Sequence, residues 1–411
     1  MTLIGENDTH RLVGKPVGVA CEVEGKLERM QGEFGVRQFG RNVCFVGLGG
    51  KMPEVDKESI LEALKSVTDP DLGRDIVSLG FVKEVKLCGG AVGLTIELTT
   101  PACPAKEQMK KEAEQAVLAI PGIDQVNIDM TAQVRASSTR ASGFLADVKN
   151  IVPVASGKGG VGKSTVAANL AVALARSGAQ VGLMDADVYG PSIPTMMGIM
   201  GKPQAAPDQQ IIPMTQYDLK IMSMGFFLPE EKAVIWRGPM LDKMIGQFLG
   251  GVLWGELDYL VIDLPPGTGD IQLSLCQKVS LTGAVVVSTP QDVALNVAQK
   301  AIAMFRQLNT PVLGIVENMS YYLCSHCGSR DEIFGTGGAR EVSRTMQLPF
   351  LGEIPLSTSI RIHSDQGKPV VLAEPDSEQA KAFIQIAENL AAQISIQNMS
   401  GELQQDIKVS F

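Results

Sequence analysis

From Ala155 to Thr165 the chain reads Ala-Ser-Gly-Lys-Gly-Gly-Val-Gly-Lys-Ser-Thr, and these residue types at this spacing can hold phosphate. The run matches G-x-x-x-x-G-K-[ST]. Gly157, Gly159, Gly160 and Gly162 let the backbone curl around Val161 until successive N–H groups point at phosphate oxygens, and the helix opening near Thr165 offers its positive end. Lys163 is expected to reach the β and γ phosphates, and the Ser164 hydroxyl to ligate Mg²⁺. A second lysine, Lys158, is not needed for simple phosphate binding. It implies extra charge neutralisation during phosphoryl transfer.

Other polar residues stand where apolar runs end. Asp185 and Asp187, two residues apart, point the same way if the strand continues, so one can orient a water while the other holds the Mg²⁺ shell or the loop. Asp263 closes the run Asp258–Asp263 ahead of Leu264-Pro265-Pro266-Gly267-Thr268-Gly269-Asp270. It is placed to hold the Mg²⁺ hydration shell, and the Pro/Gly-rich loop to sense the γ phosphate. The amide of Asn318 can both donate to and accept from a purine edge.

Cys324-Ser325-His326-Cys327 can clasp one soft metal, but zinc or an iron–sulfur cluster normally takes four protein ligands. The chain has no second C-x-x-C. A second copy supplies the rest, other ligands such as His326 join, or the pair is redox-active. Cys103 precedes Pro104 at a helix start, where the helix dipole favours thiolate; the alternative is a buried structural cysteine.

Seven strand-like runs must position these groups: 151–155, 180–184, 219–222, 259–262, 284–288, 312–316 and 350–354. They alternate with helical stretches, the pattern of an α/β fold whose mostly parallel sheet is flanked by helices and binds ligands beyond the carboxyl ends of its strands. A small α/β domain precedes it. Ile60, Leu61, Leu64 and Val67 share a helical face that Asp69-Pro70-Asp71 ends; runs at 81–87 and 91–98 flank the turn Cys88-Gly89-Gly90. A helix to about Ile120 and a strand near 125–128 follow. The expected division is an extension of unknown role (1–51), the small domain (52–132), an Ala/Ser/Arg-rich linker (133–149), the nucleotide domain (150–400) and a tail (401–411). Met52, just before the first helix signal, is a candidate translation start.

With 411 residues, 45% hydrophobic and 20% charged, the chain can bury two or three domain cores. A net charge of -9 argues against a broad nucleic-acid or anionic-membrane surface. No apolar run approaches the ~20 residues that span a bilayer, and the N-terminus lacks a leader's apolar core, so a cytoplasmic protein is expected. Seven cysteines, an odd number, form no disulfide framework. Ala380, Phe383, Ile384, Ala387, Leu390, Ala391 and Ile394 share one face of a C-terminal core-packing helix. Lys408 alone is basic beyond Gln397, which argues against a membrane anchor.

The loop Gly157–Thr165, with Lys158, resembles the deviant phosphate loop of the MinD, ParA and nitrogenase iron protein superfamily. That resemblance implies a nucleotide-sandwich homodimer in which Lys158 crosses to the partner's nucleotide. It also implies Asp187 as the water-activating aspartate with Asp185 as rival, Asn318 as the adenine-reading amide, and Pro355 closing over the base of ATP. Asp69-Pro70-Asp71 through Thr99-Thr100-Pro101-Ala102-Cys103-Pro104 resembles the small domain of iron–sulfur targeting factors, which implies a functional role for Cys103.

From Glu58 to about Gln397 the chain resembles the Mrp/ApbC iron–sulfur cluster carrier ATPases, through the small domain, Trp236-Arg237-Gly238-Pro239, the Leu264–Asp270 loop and the cysteine pair. It implies transfer of clusters from donors to apo-protein acceptors coupled to slow ATP hydrolysis. The implied cofactors are ATP, Mg²⁺ and a [4Fe–4S] cluster held across a homodimer by Cys324 and Cys327, with zinc or a disulfide as alternatives; neither nucleic acid nor membrane is an expected partner. A ParA- or MinD-like spatial organiser and a nitrogenase-iron-protein-like reductase are the rival functions.

Overall fold

The computed structural model describes residues 55–137, 144–207, 209–228, 238–324 and 326–406, with 34–39, 42–47 and 401–406 described by backbone alone. Most of the extension 1–51, linker residues 138–143, Trp236, Arg237, Ser325 and tail residues 407–411 lie outside the described residues. Within the extension, Phe34–Phe39 pairs antiparallel with Asn42–Gly47. No periodicity in that segment pointed to a hairpin.

The small domain has its own core. Asp56 caps the helix Lys57–Leu64 by accepting from the Ser59 N–H at 2.8 Å, and Ile60 and Leu64 are buried one turn apart. Val82–Cys88 and Ala91–Leu98 form an antiparallel pair in which Val92, Leu94, Ile96 and Leu98 point inward at the strand period of two. The helix Lys106–Leu118 covers that face through Met109, Ala113 and Val117. The last strand, expected near 125–128, runs Gln125–Ala132 because it pairs in parallel along the whole of Ala91–Leu98.

The large domain is a nine-stranded, mostly parallel sheet. In spatial order its strands are Met214–Gln216, Leu219–Ser223, Val181–Asp185, Leu257–Asp263, Val148–Ser156, Ala284–Ser288 and Val312–Leu323, with Phe350–Leu356 and Arg330–Asp331 both pairing with the last. Only the pairings of Met214–Gln216 and Arg330–Asp331 are antiparallel. Against this sheet lies the helix Lys163–Arg176, buried at every residue from Val166 to Leu174. A helix apolar all round must be covered on both sides. The C-terminal helix Glu378–Asp406 packs on its outer face, with Ile386 buried and Ile384 half-buried, a slight rotation from the expected face.

Two elements run further than expected. The phosphate-loop strand starts at Val148, opposite Leu257, so the expected linker 133–149 ends inside the sheet. Its first residues are tied down too: Val134 is buried, and the Arg135 carbonyl accepts from Asn150 Nδ2 at 3.0 Å and Asn398 Nδ2 at 3.2 Å. The strand expected at 312–316 continues to Leu323, because its far end turns back as a hairpin with Arg330–Asp331. The domains meet at a buried contact of 3.1 Å between the hydroxyls of Thr100 and Tyr259.

Candidate functional site

The phosphate loop joins the strand ending at Ser156 to the helix starting at Lys163. Gly162, at φ +80°, occupies the left-handed cap position, and a Cβ on Gly157 would lie 2.4 Å from the Val297 carbonyl carbon. Both positions therefore require glycine. The Ser156 hydroxyl donates to the Lys158 carbonyl at 3.0 Å, while the Lys158 side chain is exposed beside Gly159 and Gly160. Val161 is buried beneath the loop, and the Thr165 carbonyl accepts from Asn169 Nδ2 at 2.9 Å.

Lys163 is buried among carboxylates. Its ammonium bonds Asp263 Oδ1, lies 3.7 Å from Asp187 Oδ2, and donates to Ser164 Oγ at 3.2 Å. Asp185 and Asp263 are wholly buried, and Asp263 Oδ2 has no partner among the described residues. Burial pushes the Asp263 carboxyl up, against the pull of Lys163. Asp185 is pushed up to about 8 by burial and then by the Asp263 charge. Two carboxylates, Asp187 and Asp263, around one ammonium leave the pocket short of positive charge. An all-oxygen donor set with an orphaned Asp263 Oδ2 beside Ser164 fits a hard divalent cation.

Asp185 and Asp187 do different things. The Asp185 carboxylate accepts from Asp187 N at 3.1 Å, Ile193 N at 3.3 Å and Ser223 Oγ at 2.9 Å, so it holds the loop. Asp187 lines a cavity of about 680 Å³ with Pro265, Pro266 and Gln272, where a water can be oriented. The Gly267 N–H donates to the Ser156 carbonyl at 2.8 Å. Buried Gln272 ties the Leu264–Asp270 loop, donating to the Pro265 and Gly267 carbonyls at 2.8 and 3.1 Å and accepting from Gly269 N at 2.9 Å. Gln272 carried no sequence-level prediction, although an amide three residues after a helix cap is a signal for it.

Asn318 is buried against the phosphate loop, its Nδ2 donating to the Val161 carbonyl at 2.8 Å and its Oδ1 accepting from Met319 N at 3.0 Å. Pro355 is buried on the neighbouring strand, next to Ile354, which pairs with Asn318. One residue before Asn318, buried Glu317 accepts from Ser320 Oγ at 2.6 Å, Gly337 N at 2.8 Å and Ala339 N at 2.6 Å. It thereby caps the helix Gly338–Met346. A buried acid on a strand offers no sequence signal for a cap twenty residues away.

The same strand delivers the thiol pair. Cys324 follows Leu323 directly and is half-buried; Cys327 is exposed at the hairpin tip. The tip is held by Gly328 N donating to the Cys324 carbonyl at 2.8 Å, with Gly328 at φ +69°, and by Cys324 N donating to the Ser329 carbonyl at 3.0 Å. Hydrogen bonds from the Ser329 hydroxyl and backbone, and from Cys324, hold the Cys327 thiol below its usual range, which favours the metal-ligating thiolate. Among the described residues no group of three or more His, Cys, Asp or Glu side chains converges to hold a metal. His326 is exposed and joins no such group.

Cys103 fits the alternative of a structural cysteine, partly buried against the small-domain core. The helix begins only at Lys106, and burial pushes the thiol up to about 11, so the protonated form dominates. No helix among the described residues is long and apolar enough to cross a membrane.

Residues 147–391 match the family model described as NUBPL iron-transfer P-loop NTPase, and residues 57–130 match that of an iron–sulfur cluster assembly protein. The iron–sulfur cluster carrier protein of Deinococcus radiodurans is 49% identical over 353 residues, covering 86% of this chain and 99% of its own. Its Escherichia coli K12 namesake is 42% identical over 348 residues, covering 84% and 94%. Among solved structures, a nucleotide-binding protein from Archaeoglobus fulgidus in complex with ADP is 43% identical, covers 58% of this chain and 94% of its own, and superposes with a TM-score of 0.52.

Proposed function

The chain belongs to the iron-transfer P-loop NTPase family, and from that membership we propose that it carries iron–sulfur clusters to apo-proteins as a homodimer, coupled to ATP binding and hydrolysis. The observation that carries this is a single strand, Val312–Leu323, which sets Asn318 against the phosphate loop and ends at a hairpin bearing two thiols. Two thiolates are half of a four-ligand set. A two-fold axis between copies brings four together, from Cys324 and Cys327 of each chain.

In the nucleotide site, the loop N–H groups and Lys163 hold the β and γ phosphates, and Lys163 shares its charge between Asp263 and phosphate. Ser164 and Asp263 would hold Mg²⁺, which would supply positive charge to the β and γ phosphates. Asp187 orients the attacking water and takes its proton as the bond from the γ phosphorus to the bridging oxygen breaks, leaving ADP and phosphate. Asp185 keeps the loop that follows it in place. Lys158, exposed on the loop, reaches the partner's nucleotide, and Asn318 and Pro355 meet the adenine.

Anaerobic reconstitution of the full chain followed by iron and sulfide analysis tests the proposal. The expected result is roughly one four-iron cluster per dimer, lost in the Cys324→Ser, Cys327→Ser variant. Wild-type iron content in that variant would overturn it.

A further inference from the structure

The strand Val312–Leu323 is irregular between Asn318 and the thiol hairpin. Asn318 pairs with Ile354 and Tyr322 with Leu356, so three residues between these pairs on one strand run beside one, Pro355, on the other. Within that slack Met319 takes φ +57°, a left-handed conformation uncommon outside glycine. Asn318 cannot turn toward a base without releasing the Val161 carbonyl, and its Oδ1 is bonded to the N–H of the strained residue. A change at Asn318 is therefore felt at Met319 and next at Ser320.

Ser320 is a junction. Its hydroxyl lies 2.6 Å from Glu317 Oε1, 3.0 Å from Thr336 Oγ1 and 3.5 Å from Glu353 Oε2. Glu353, two residues before Pro355, also meets Arg330 Nη1 at 3.4 Å. The Arg330 guanidinium donates to Thr336 Oγ1 at 3.2 Å and lies 3.9 Å from the centre of the Tyr321 ring. Arg330 pairs with Leu323 across the hairpin, so it clamps the base of the loop that carries both thiols. Tyr321 and Glu353, side chains from the two strands bearing Asn318 and Pro355, thus converge on one guanidinium, three residues beyond Cys327.

We propose that Arg330, held by Glu353, is the positioning residue through which the nucleotide state sets the geometry of the Cys324/Cys327 hairpin, and so the rate at which a bound cluster leaves. This rests on the carrier function proposed above. Neither side chain touches nucleotide or cluster in that scheme. Their loss should spare both binding steps and remove the coupling between them.

The test follows cluster transfer from the anaerobically reconstituted full chain to an apo-ferredoxin, by circular dichroism, with and without Mg²⁺–ATP. Wild type is expected to change its transfer rate with nucleotide by about fivefold or more, the lower range of measured site-to-site couplings. Arg330→Gln and Glu353→Gln should each bring that ratio close to one, with iron content and ATP affinity as in wild type, and the swap of Arg330→Glu with Glu353→Arg should restore it in part. An undiminished ratio in both single variants overturns the inference alone. So does a variant that loses the ratio only together with its iron, because the pair is then merely structural. A wild type indifferent to ATP sinks coupled carriage itself, and this inference with it.

Discussion

At the scale of single residues, Asp185 and Asp187 are alike in sequence and opposite in environment. Asp185 spends its oxygens on the loop, whereas Asp187 faces the cavity shared with Pro265, Pro266 and Gln272. Replacing Asp187 by Asn should leave ATP binding intact and slow hydrolysis by about 10²- to 10⁴-fold, the usual loss of a positioned base. Asp185→Asn should instead act on stability. Its folded-state value of about 8 stands above the ordinary 3.8, so between those limits the folded chain holds a proton that the unfolded chain has released. Stability from this group therefore falls as pH rises from about 4 to about 8. Thermal unfolding of the nucleotide-free protein should show a shallower decline over that window in Asp185→Asn than in wild type. Parallel curves for the two proteins would refute the assignment.

At the scale of elements, hydrophobic periodicity made the seven main strands legible, because a strand buried on both faces reads as a continuous apolar run such as Tyr259–Ile262. It did not reveal where they end. Val312–Leu323 passes from apolar to mixed residues at Glu317, and what extends it is pairing with Arg330–Asp331, a non-local contact with no local signature. The same holds for Glu317, whose backbone partners Gly337 and Ala339 lie on another segment. The phosphate loop was readable for the opposite reason, since glycine is demanded by local geometry. Gly157→Ala tests that demand: its Cβ would meet the Val297 backbone at 2.4 Å, and backbone cannot swing aside as a side chain can. The variant should lose about 1–3 kcal/mol of stability, the usual cost of overpacking, together with most of its nucleotide affinity. Denaturant unfolding and ATP titration with wild-type values would show that the loop can move away from Val297.

At the scale of the whole molecule, each proposed site is unfinished in one chain, and each leaves a group facing outward. Lys158 is exposed on a loop where Lys163 already supplies the buried cation, and Cys327 is exposed at a hairpin where two thiols find no third ligand among the described residues. One dimer would satisfy both needs, and that makes the two sites testable together. If Lys158 completes the partner's nucleotide site, Lys158→Ala keeps ATP binding through Lys163 and loses the cation that reaches the phosphates in trans. Hydrolysis should then fall by about 10²-fold or more, as when one preorganised transition-state contact is removed. Sedimentation velocity should show the ATP-dependent dimer of wild type reduced to monomer. Iron content after reconstitution should fall with it if the nucleotide interface holds the four thiolates in register, and stay unchanged if the cysteine hairpins alone hold the dimer. A Lys158→Ala protein that still dimerises with ATP and hydrolyses it at the wild-type rate would confine this lysine to its own loop and remove the trans contact from the mechanism.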